Sequence, residues 1–186
     1  MRKKKKAFTL LELIITLSIT VVVVGTIYTF FLSNSKTIIT TEINTDLQTE
    51  SQKIQNQLLE CGTEANSIYS LNGIEVKSNN MEYSDVFKDS DKLAINEITF
   101  QIEGDKYTFS FNSSTRILTL RKNLEGIVEL SQNVKEFQIR PLDYRMKPDG
   151  KLYDANGVEI SYILNVKRGY SDVTIPASVI VKFRNK

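Results

Sequence analysis

The chain has 186 residues, with 24 Lys and Arg against 22 Asp and Glu. This length suits one domain of ordinary size plus an appendage. Arg2 and Lys3–Lys6 supply five of the cations, so the rest of the chain carries 19 basic against 22 acidic residues and no basic stripe that would indicate nucleic-acid binding. The absence of His excludes His-based acid–base catalysis and His-ligated metal sites.

A long apolar segment follows the N-terminal cations. It runs over 26 residues from Ala7 to Leu32, and Glu12 is its only formally charged member. As a helix it would measure roughly 39 Å, enough to cross a hydrocarbon core of about 30 Å. The cations favour a cytoplasmic N-terminus, so we expect the remainder of the chain to lie outside. The segment is too long for the apolar core of a cleavable secretory signal, and no convincing cleavage site follows it.

Glu12 is the unusual residue of this segment. A carboxylate costs on the order of 2.5 to 3.5 kcal/mol at the centre of a transmembrane helix, and less near an end. Taken alone, Glu12 is explained by a side chain that snorkels to the cytoplasmic interface. An ordinary signal anchor accounts for the length and the cations but gives the carboxylate no purpose.

The string KKKKAFTLLELIITLSI resembles the N-terminus of a type IV prepilin, the family that includes pilins and type II secretion pseudopilins. The resemblance implies that residues 1–7 are a leader, cut between Ala7 and Phe8 by a prepilin peptidase that then methylates Phe8. The family usually has Gly before the cut, and Ala7 departs from that pattern. Glu12 falls at the position of the family's glutamate, which in filaments lies near the α-amino group of a neighbouring subunit. Pairing the two charges in a low-dielectric core would offset a cost that neither could bear alone.

The helix is predicted to continue beyond the membrane. No Gly or Pro interrupts residues 26–61, so we expect the helix to run from Phe8 to about Glu60, with residues 8–32 apolar and residues 33–61 amphipathic. Gly62 provides a stop signal. One apolar stripe follows the helix period through Ile39, Ile43, Leu47, Ile54 and Leu58.

The C-terminal part changes to period two. Residues 63–92 are mixed and polar, and we expect a connecting region with at most short elements there. Beyond them, alternating apolar residues predict strands within 98–102, 107–111, 118–120, 128–130, 137–139, 158–166 and 179–183. We expect an antiparallel meander, one apolar face of which covers the helix stripe. The predicted fold is α+β and type IV pilin-like, with a β-rich head domain over residues 62–186.

The C-terminal half suggests a subtype. ELSQNVKEFQIRPLDYR, VEISYILNVKRG and ASVIVKFRN resemble the ending of J-type minor pilins and minor pseudopilins, low-abundance subunits that join a tip complex. Many major pilins carry paired C-terminal cysteines, but Cys61 is the single Cys here, and the apolar helix contains no Pro. Both features favour a minor subunit. Cys61 itself is interpreted as a small residue near a helix end, with intermolecular pairing as the alternative.

Two further features have ordinary explanations. Some pseudopilins bind calcium in loops such as KPDGKLYDANGVE, where the candidate ligands are Asp149, Asp154, Asn156 and Glu159. The spacing falls short of the calcium-loop pattern, and Asp-Gly and Asn-Gly are typical of tight turns. Residues 112–114 (Asn-Ser-Ser) form a glycosylation sequon that a short hairpin loop explains equally well. No nucleophile–base pair, phosphate loop or metal cluster appears, so we predict neither an enzyme nor a cofactor.

The sequence therefore predicts a structural subunit, of the minor kind, of a type IV pilus or related pseudopilus. It would be inserted in the cytoplasmic membrane with its C-terminal domain outside, trimmed before Phe8 and extracted into a cell-surface filament. The resemblance implies other pilin subunits, a polytopic assembly platform and an ATPase as partners. The alternative is a single-pass membrane anchor that presents an extracellular binding or sensing domain. The sequence does not choose between an adhesion or motility pilus, a secretion pseudopilus and a DNA-uptake pilus.

Overall fold

The computed structural model describes residues 8–87, 92–144, 146 and 149–183. Its helices are α1 (Leu10–Glu64) and the single-turn α2 (Tyr83–Val86), with a 3-10 turn at Leu152–Asp154. The strands are β1 (Ile68–Leu71), β2 (Ile74–Glu75), β3 (Leu93–Ala94), β4 (Glu97–Ile102), β5 (Asp105–Asn112), β6 (Ile117–Lys122), β7 (Ile127–Ser131), β8 (Val134–Pro141), β9 (Gly157–Arg168) and β10 (Ser171–Lys182). The chain divides into two compact units, residues 1–42 and residues 43–186, and the second is called the globular unit below.

The predicted long helix is confirmed, because α1 is continuous over 55 residues. Its end was predicted wrongly: Gly62 lies inside the helix, which continues to Glu64. A Cβ atom at Gly62 would overlap the side chain of Val181 in β10. Glycine is therefore required at this position by close packing of a strand on the helix, and not by a change of backbone direction.

The apolar stripe of α1 is buried in the globular unit. Its buried members, each at most 1% exposed, are Ile43, Leu47, Ile54 and Leu58. Burying a side chain of this size contributes about 1.5 to 3 kcal/mol. Ser51 occupies the same face, and its hydroxyl is 3.0 Å from the hydroxyl of Tyr162 in β9. Ile39 is exposed, so its assignment to the covered stripe was wrong.

Two antiparallel sheets form the rest of the globular unit, so the prediction of a single meander was wrong. The first sheet has the order β2-β1-β4-β5-β6-β7, and the second has the order β10-β9-β8-β3. Each predicted strand segment lies in or overlaps an observed strand, and the elements in the described part of the polar region 63–92 are short, as expected. The predicted α+β class, with a long helix packed on antiparallel sheets, is confirmed.

The chain passes from the first sheet to the second at residues 132–133. Ser131 ends β7 and Val134 begins β8, but these two strands belong to different sheets. The carboxylate of Glu50 on α1 holds this crossover, because it accepts hydrogen bonds from Ser131 Oγ at 2.6 Å and from Asn133 Nδ2 at 2.9 Å. Alternation of period two continues on both sides of a crossover just as it does on both sides of a hairpin, which is why the pattern alone suggested one sheet.

One hydrophobic core joins α1 to the inner faces of both sheets. Phe100 and Phe109 meet edge-to-face within the first sheet, with ring centroids 6.1 Å apart. Phe111 of the first sheet and Phe137 of the second have centroids at the same distance and connect the two sheets. Aromatic pairs of this geometry add about 0.5 to 1.5 kcal/mol to the stabilisation that burial provides.

Candidate functional site

Thr9 and Glu12 close the N-terminal end of α1 with a reciprocal pair of caps. The backbone N–H and the hydroxyl of Thr9 both donate to Glu12 Oε2 at 3.1 Å, and the backbone N–H of Glu12 donates to Thr9 Oγ1 at 3.2 Å. Because the helix begins at Leu10, Thr9 is the N-cap and Glu12 is the third helical residue, which is the arrangement of a capping box. The box satisfies backbone donors that the first turn of a helix leaves without partners.

This capping box gives Glu12 a function within its own chain that sequence reasoning missed. The sequence explanations assigned the carboxylate either to the cytoplasmic interface or to a neighbouring subunit. The signal was nevertheless present, because Thr-x-x-Glu before an apolar run is the sequence signature of a capping box. The box also sets the first helical residue at Leu10 instead of the expected Phe8, whose side chain is 77% exposed.

Hydroxyl groups in the apolar part of α1 are paired with the backbone of the same helix. Thr16, Ser18 and Thr20 donate to the carbonyl four residues earlier at 2.9, 2.8 and 2.7 Å. Thr26 and Thr29 donate to the carbonyl three residues earlier at 2.8 and 2.9 Å. A buried hydroxyl without a partner is costly in hydrocarbon, so these bonds make the segment compatible with a bilayer despite its polar residues.

The surface of this segment is apolar and uncovered. Each large apolar side chain from Phe8 to Leu32 is exposed, and α1 is long and apolar enough to cross a membrane. An exposed apolar surface of this extent is stable in lipid or against other apolar helices. The predicted leader, residues 1–7, lies outside the described residues, and the position of Ala7 at the predicted cut lies there with it.

The candidate calcium residues lie in four different settings. They are Asp149 in a turn, Asp154 at the end of the 3-10 turn, Asn156 in a bend and Glu159 in β9. Glu159 belongs to an ion-pair network, in which it binds Arg140 at 2.5 Å and Lys92 at 3.5 Å. Within the described residues, no three His, Cys, Asp or Glu side chains are arranged to hold a metal ion.

The hairpin interpretation of the sequon is confirmed. Asn112 Oδ1 accepts hydrogen bonds from the backbone N–H groups of Ser114 at 3.0 Å and Thr115 at 3.2 Å. The side chain of Asn112 therefore organises the turn between β5 and β6, as an Asn at the start of a turn commonly does.

The interpretation of Cys61 as a small residue near the end of α1 is also confirmed. Its side chain is buried, at 3% exposure. Burial, together with the negative charges of Glu60 and Glu64, raises the pKa of the Cys61 thiol to about 12. A thiol in this environment is a poor candidate for disulfide exchange with another chain, because the thiolate is the reactive form.

The fold is α+β, with a long N-terminal apolar helix packed on antiparallel sheets, and among the described residues α1 alone is long and apolar enough to cross a membrane; this arrangement is consistent with a type IV pilin-like fold. Residues 2–28 match the model of the prokaryotic N-terminal methylation motif, which is the signature of type IV prepilins. The matched range contains Phe8 and the whole capping box. No curated protein and no solved structure matches the chain. The motif supports processing by prepilin peptidase, and the adjacent apolar helix supports membrane anchoring of the C-terminal domain.

Proposed function

We propose that the chain is a structural subunit of a type IV pilus or a related pseudopilus, and that it is a minor subunit of the tip complex. Prepilin peptidase cuts between Ala7 and Phe8 and methylates Phe8. Other pilin subunits, an assembly platform and an ATPase then move the chain from the cytoplasmic membrane into the filament. The observation that carries the proposal is that the matched methylation motif contains the capped start of α1 and most of its exposed apolar segment. The chain contributes shape and contacts, and it catalyses no reaction.

The geometry of Glu12 is compatible with both a cap and a partner in a neighbouring subunit. Both hydrogen bonds from Thr9 fall on Oε2. An ionised carboxylate offers about four acceptor positions on its two oxygens, so the cap leaves capacity for a further donor. Cleavage creates an α-amino group at Phe8, and an amine of this kind from an adjacent subunit would complete a charge pair in the filament core.

Assignment to the minor class rests on different observations. The resemblance of the C-terminal segments to J-type subunits favours it, and so does the absence of the paired C-terminal cysteines that many major pilins carry. A minor subunit should be present in purified filaments far below the abundance of the major pilin. Quantitative mass spectrometry of sheared filaments measures that ratio, and an abundance equal to that of the major subunit would contradict this assignment.

Intact-mass analysis of the membrane-derived protein tests the processing step. We expect a species that begins at N-methylated Phe8. Ala7→Gly is the matched variant, because it restores the usual family residue; the cleaved fraction should stay equal or increase. Retention of residues 1–7 in both proteins would refute the proposal and favour the single-pass anchor with an extracellular binding or sensing domain.

A further inference from the structure

We propose that the tip of the β9–β10 hairpin is a contact surface for anionic lipid headgroups, which it binds while the chain is anchored in the membrane. The tip comprises Lys167, Arg168, Gly169 and Tyr170. This inference rests on the membrane-anchoring part of the proposed function and is independent of assembly into a filament.

The composition of the tip suits a membrane interface. Gly169 and Tyr170 form a two-residue turn, in which Gly169 adopts a positive φ of 59°. Tyr170 is 97% exposed, and Lys167 and Arg168 are exposed beside it. A tyrosine ring with its polar hydroxyl is favoured at the level of lipid headgroups, and Lys and Arg are attracted to anionic lipids. The tip combines both elements within four residues.

Contacts along the hairpin define the direction in which it points. Val181 of β10 lies next to Gly62, near the C-terminal end of α1. The hydroxyl of Tyr162 in β9 donates to the Ser51 carbonyl at 2.9 Å, and Ser51 lies three turns earlier in the helix. The hairpin therefore runs along α1 towards the beginning of the globular unit.

The tip extends to that beginning. Asn165 N–H donates to the carbonyl of Asn133 at 2.9 Å, and the side chain of Asn133 binds Glu50. From Asn165 to Arg168 the strand extends about 10 Å further, and from Glu50 to Ile43 the helix also covers about 10 Å. The tip thus lies at the end of the globular unit where α1 enters. Along the chain, residues 33–42 connect Ile43 to the apolar segment.

The charges around the tip favour an anionic partner. Asp172 stands opposite Lys167 in the β9–β10 ladder, and its carboxylate accepts a hydrogen bond from Asn165 Nδ2 at 2.7 Å. Arg116 donates to Asn165 Oδ1 at 3.4 Å and brings a third cation close to the tip. On the hairpin and its hydrogen-bonded neighbours, Lys167, Arg168 and Arg116 outnumber Asp172, whereas the chain beyond its first cations carries more acidic than basic residues.

The absence of Trp from the chain permits a direct test. Tyr170→Trp places one fluorophore at the tip. Leu124→Trp is the matched control, because Leu124 is 96% exposed in the β6–β7 turn. Ser131 at the end of β7 binds Glu50, whereas the carbonyl of Glu129 two residues earlier accepts from Lys53 Nζ at 2.7 Å, so β7 leads back along α1 towards its C-terminal end. The β6–β7 turn with Leu124 therefore lies away from the tip of the β9–β10 hairpin. The full chain is placed in nanodiscs that contain a lipid with a nitroxide quencher on its headgroup, either in phosphatidylcholine alone or with added phosphatidylglycerol.

We expect strong quenching of the Trp at position 170 with phosphatidylglycerol, and little quenching of the Trp at position 124. Quenching should decrease in phosphatidylcholine alone and at about 1 M salt, where the Debye length falls to about 3 Å. Lys167→Gln and Arg168→Gln in the Tyr170→Trp background should each shift the contact equilibrium about fivefold towards the unbound tip.

Equal quenching at positions 170 and 124 would overturn the proposal, and so would quenching at position 170 that is insensitive to phosphatidylglycerol and salt. The two proposals fail separately. A chain that is not processed at Phe8 is detected by its intact mass, and nanodisc quenching requires only that the apolar helix is inserted.

Discussion

Replacement of Glu12 tests whether its carboxylate acts within the chain or between subunits. Glu12→Val removes the carboxylate and the acceptor for two Thr9 bonds. Thr9→Val removes the hydroxyl from the capping box but keeps the carboxylate. If the carboxylate serves a neighbouring subunit, Glu12→Val should abolish incorporation into filaments, and Thr9→Val should reduce it only slightly.

The expected magnitudes separate these outcomes. Loss of an N-cap typically costs about 1 kcal/mol, which corresponds to roughly a fivefold change in an equilibrium. Breaking a buried ion pair by removing one partner costs about 3 to 5 kcal/mol, because the remaining charge is left without compensation. In a filament that remaining charge would be the amine at Phe8. Incorporation of the Glu12→Val chain should therefore fall by at least a hundredfold, and that of the Thr9→Val chain by less than tenfold.

The assay compares chains with the same insertion and processing. Membrane fractionation and intact mass show whether each variant is inserted and cut before Phe8, and immunoblots of sheared filaments then measure incorporation. Glu12→Gln is the control that keeps shape and hydrogen bonding but removes the charge. The reasoning is refuted if Thr9→Val and Glu12→Val reduce incorporation equally, since the cap would then explain the whole effect. Normal incorporation of Glu12→Val would refute the charge-pair explanation as well.

Three further predictions concern the globular unit and are tested on the full chain in detergent. Gly62→Ala should lower the free energy of unfolding by about 1 to 3 kcal/mol, because the new Cβ overlaps Val181. The additional change Val181→Ala should restore part of the loss. Both are measured by thermal or denaturant unfolding, and an unchanged midpoint for Gly62→Ala would contradict the close packing. Cys61 should react with a maleimide at neutral pH only after denaturation. The reason is that a thiol pKa of about 12, against an ordinary 9.0, lowers the thiolate fraction about a thousandfold. Rapid labelling of the folded chain would contradict this prediction. Tyr162→Phe should lower the free energy of unfolding by about 1 kcal/mol, because it leaves Ser51 without its partner. Tyr162→Phe combined with Ser51→Ala should lower it by less than the sum of the two single changes. Strict additivity would exclude coupling between the two hydroxyls.

Local patterns were sufficient to predict most elements of this chain. A strand or an amphipathic helix reveals its period within a few residues, so α1 and the longer strands followed from apolar spacing alone. The methylation motif is equally local, because residues 2–28 contain the cations, Phe8 and Glu12. The capping box lies in the same stretch, and its omission from the sequence prediction was an error of interpretation.

Errors arose where a position depends on residues distant in the chain. Gly62 has the composition of a helix stop, but Val181 packs against it, and no local pattern connects two residues that far apart. Ile39 has the correct spacing for the buried stripe but is exposed, because the covered part of the stripe begins at Ile43. A period identifies the apolar face of an element and leaves open how much of that face another element covers.

The sequence by itself determined the apolar helix, the motif at its start and the strands that follow. Only the tertiary structure decided how those strands divide into two sheets, with the crossover at residues 132–133, where Glu50 binds Ser131 and Asn133. It also decided which hairpin tip lies at the end of the globular unit where α1 enters. The physical reason is that hydrophobic periodicity acts over one turn or one pleat, whereas sheet membership and strand direction depend on long-range contacts that bury those faces together.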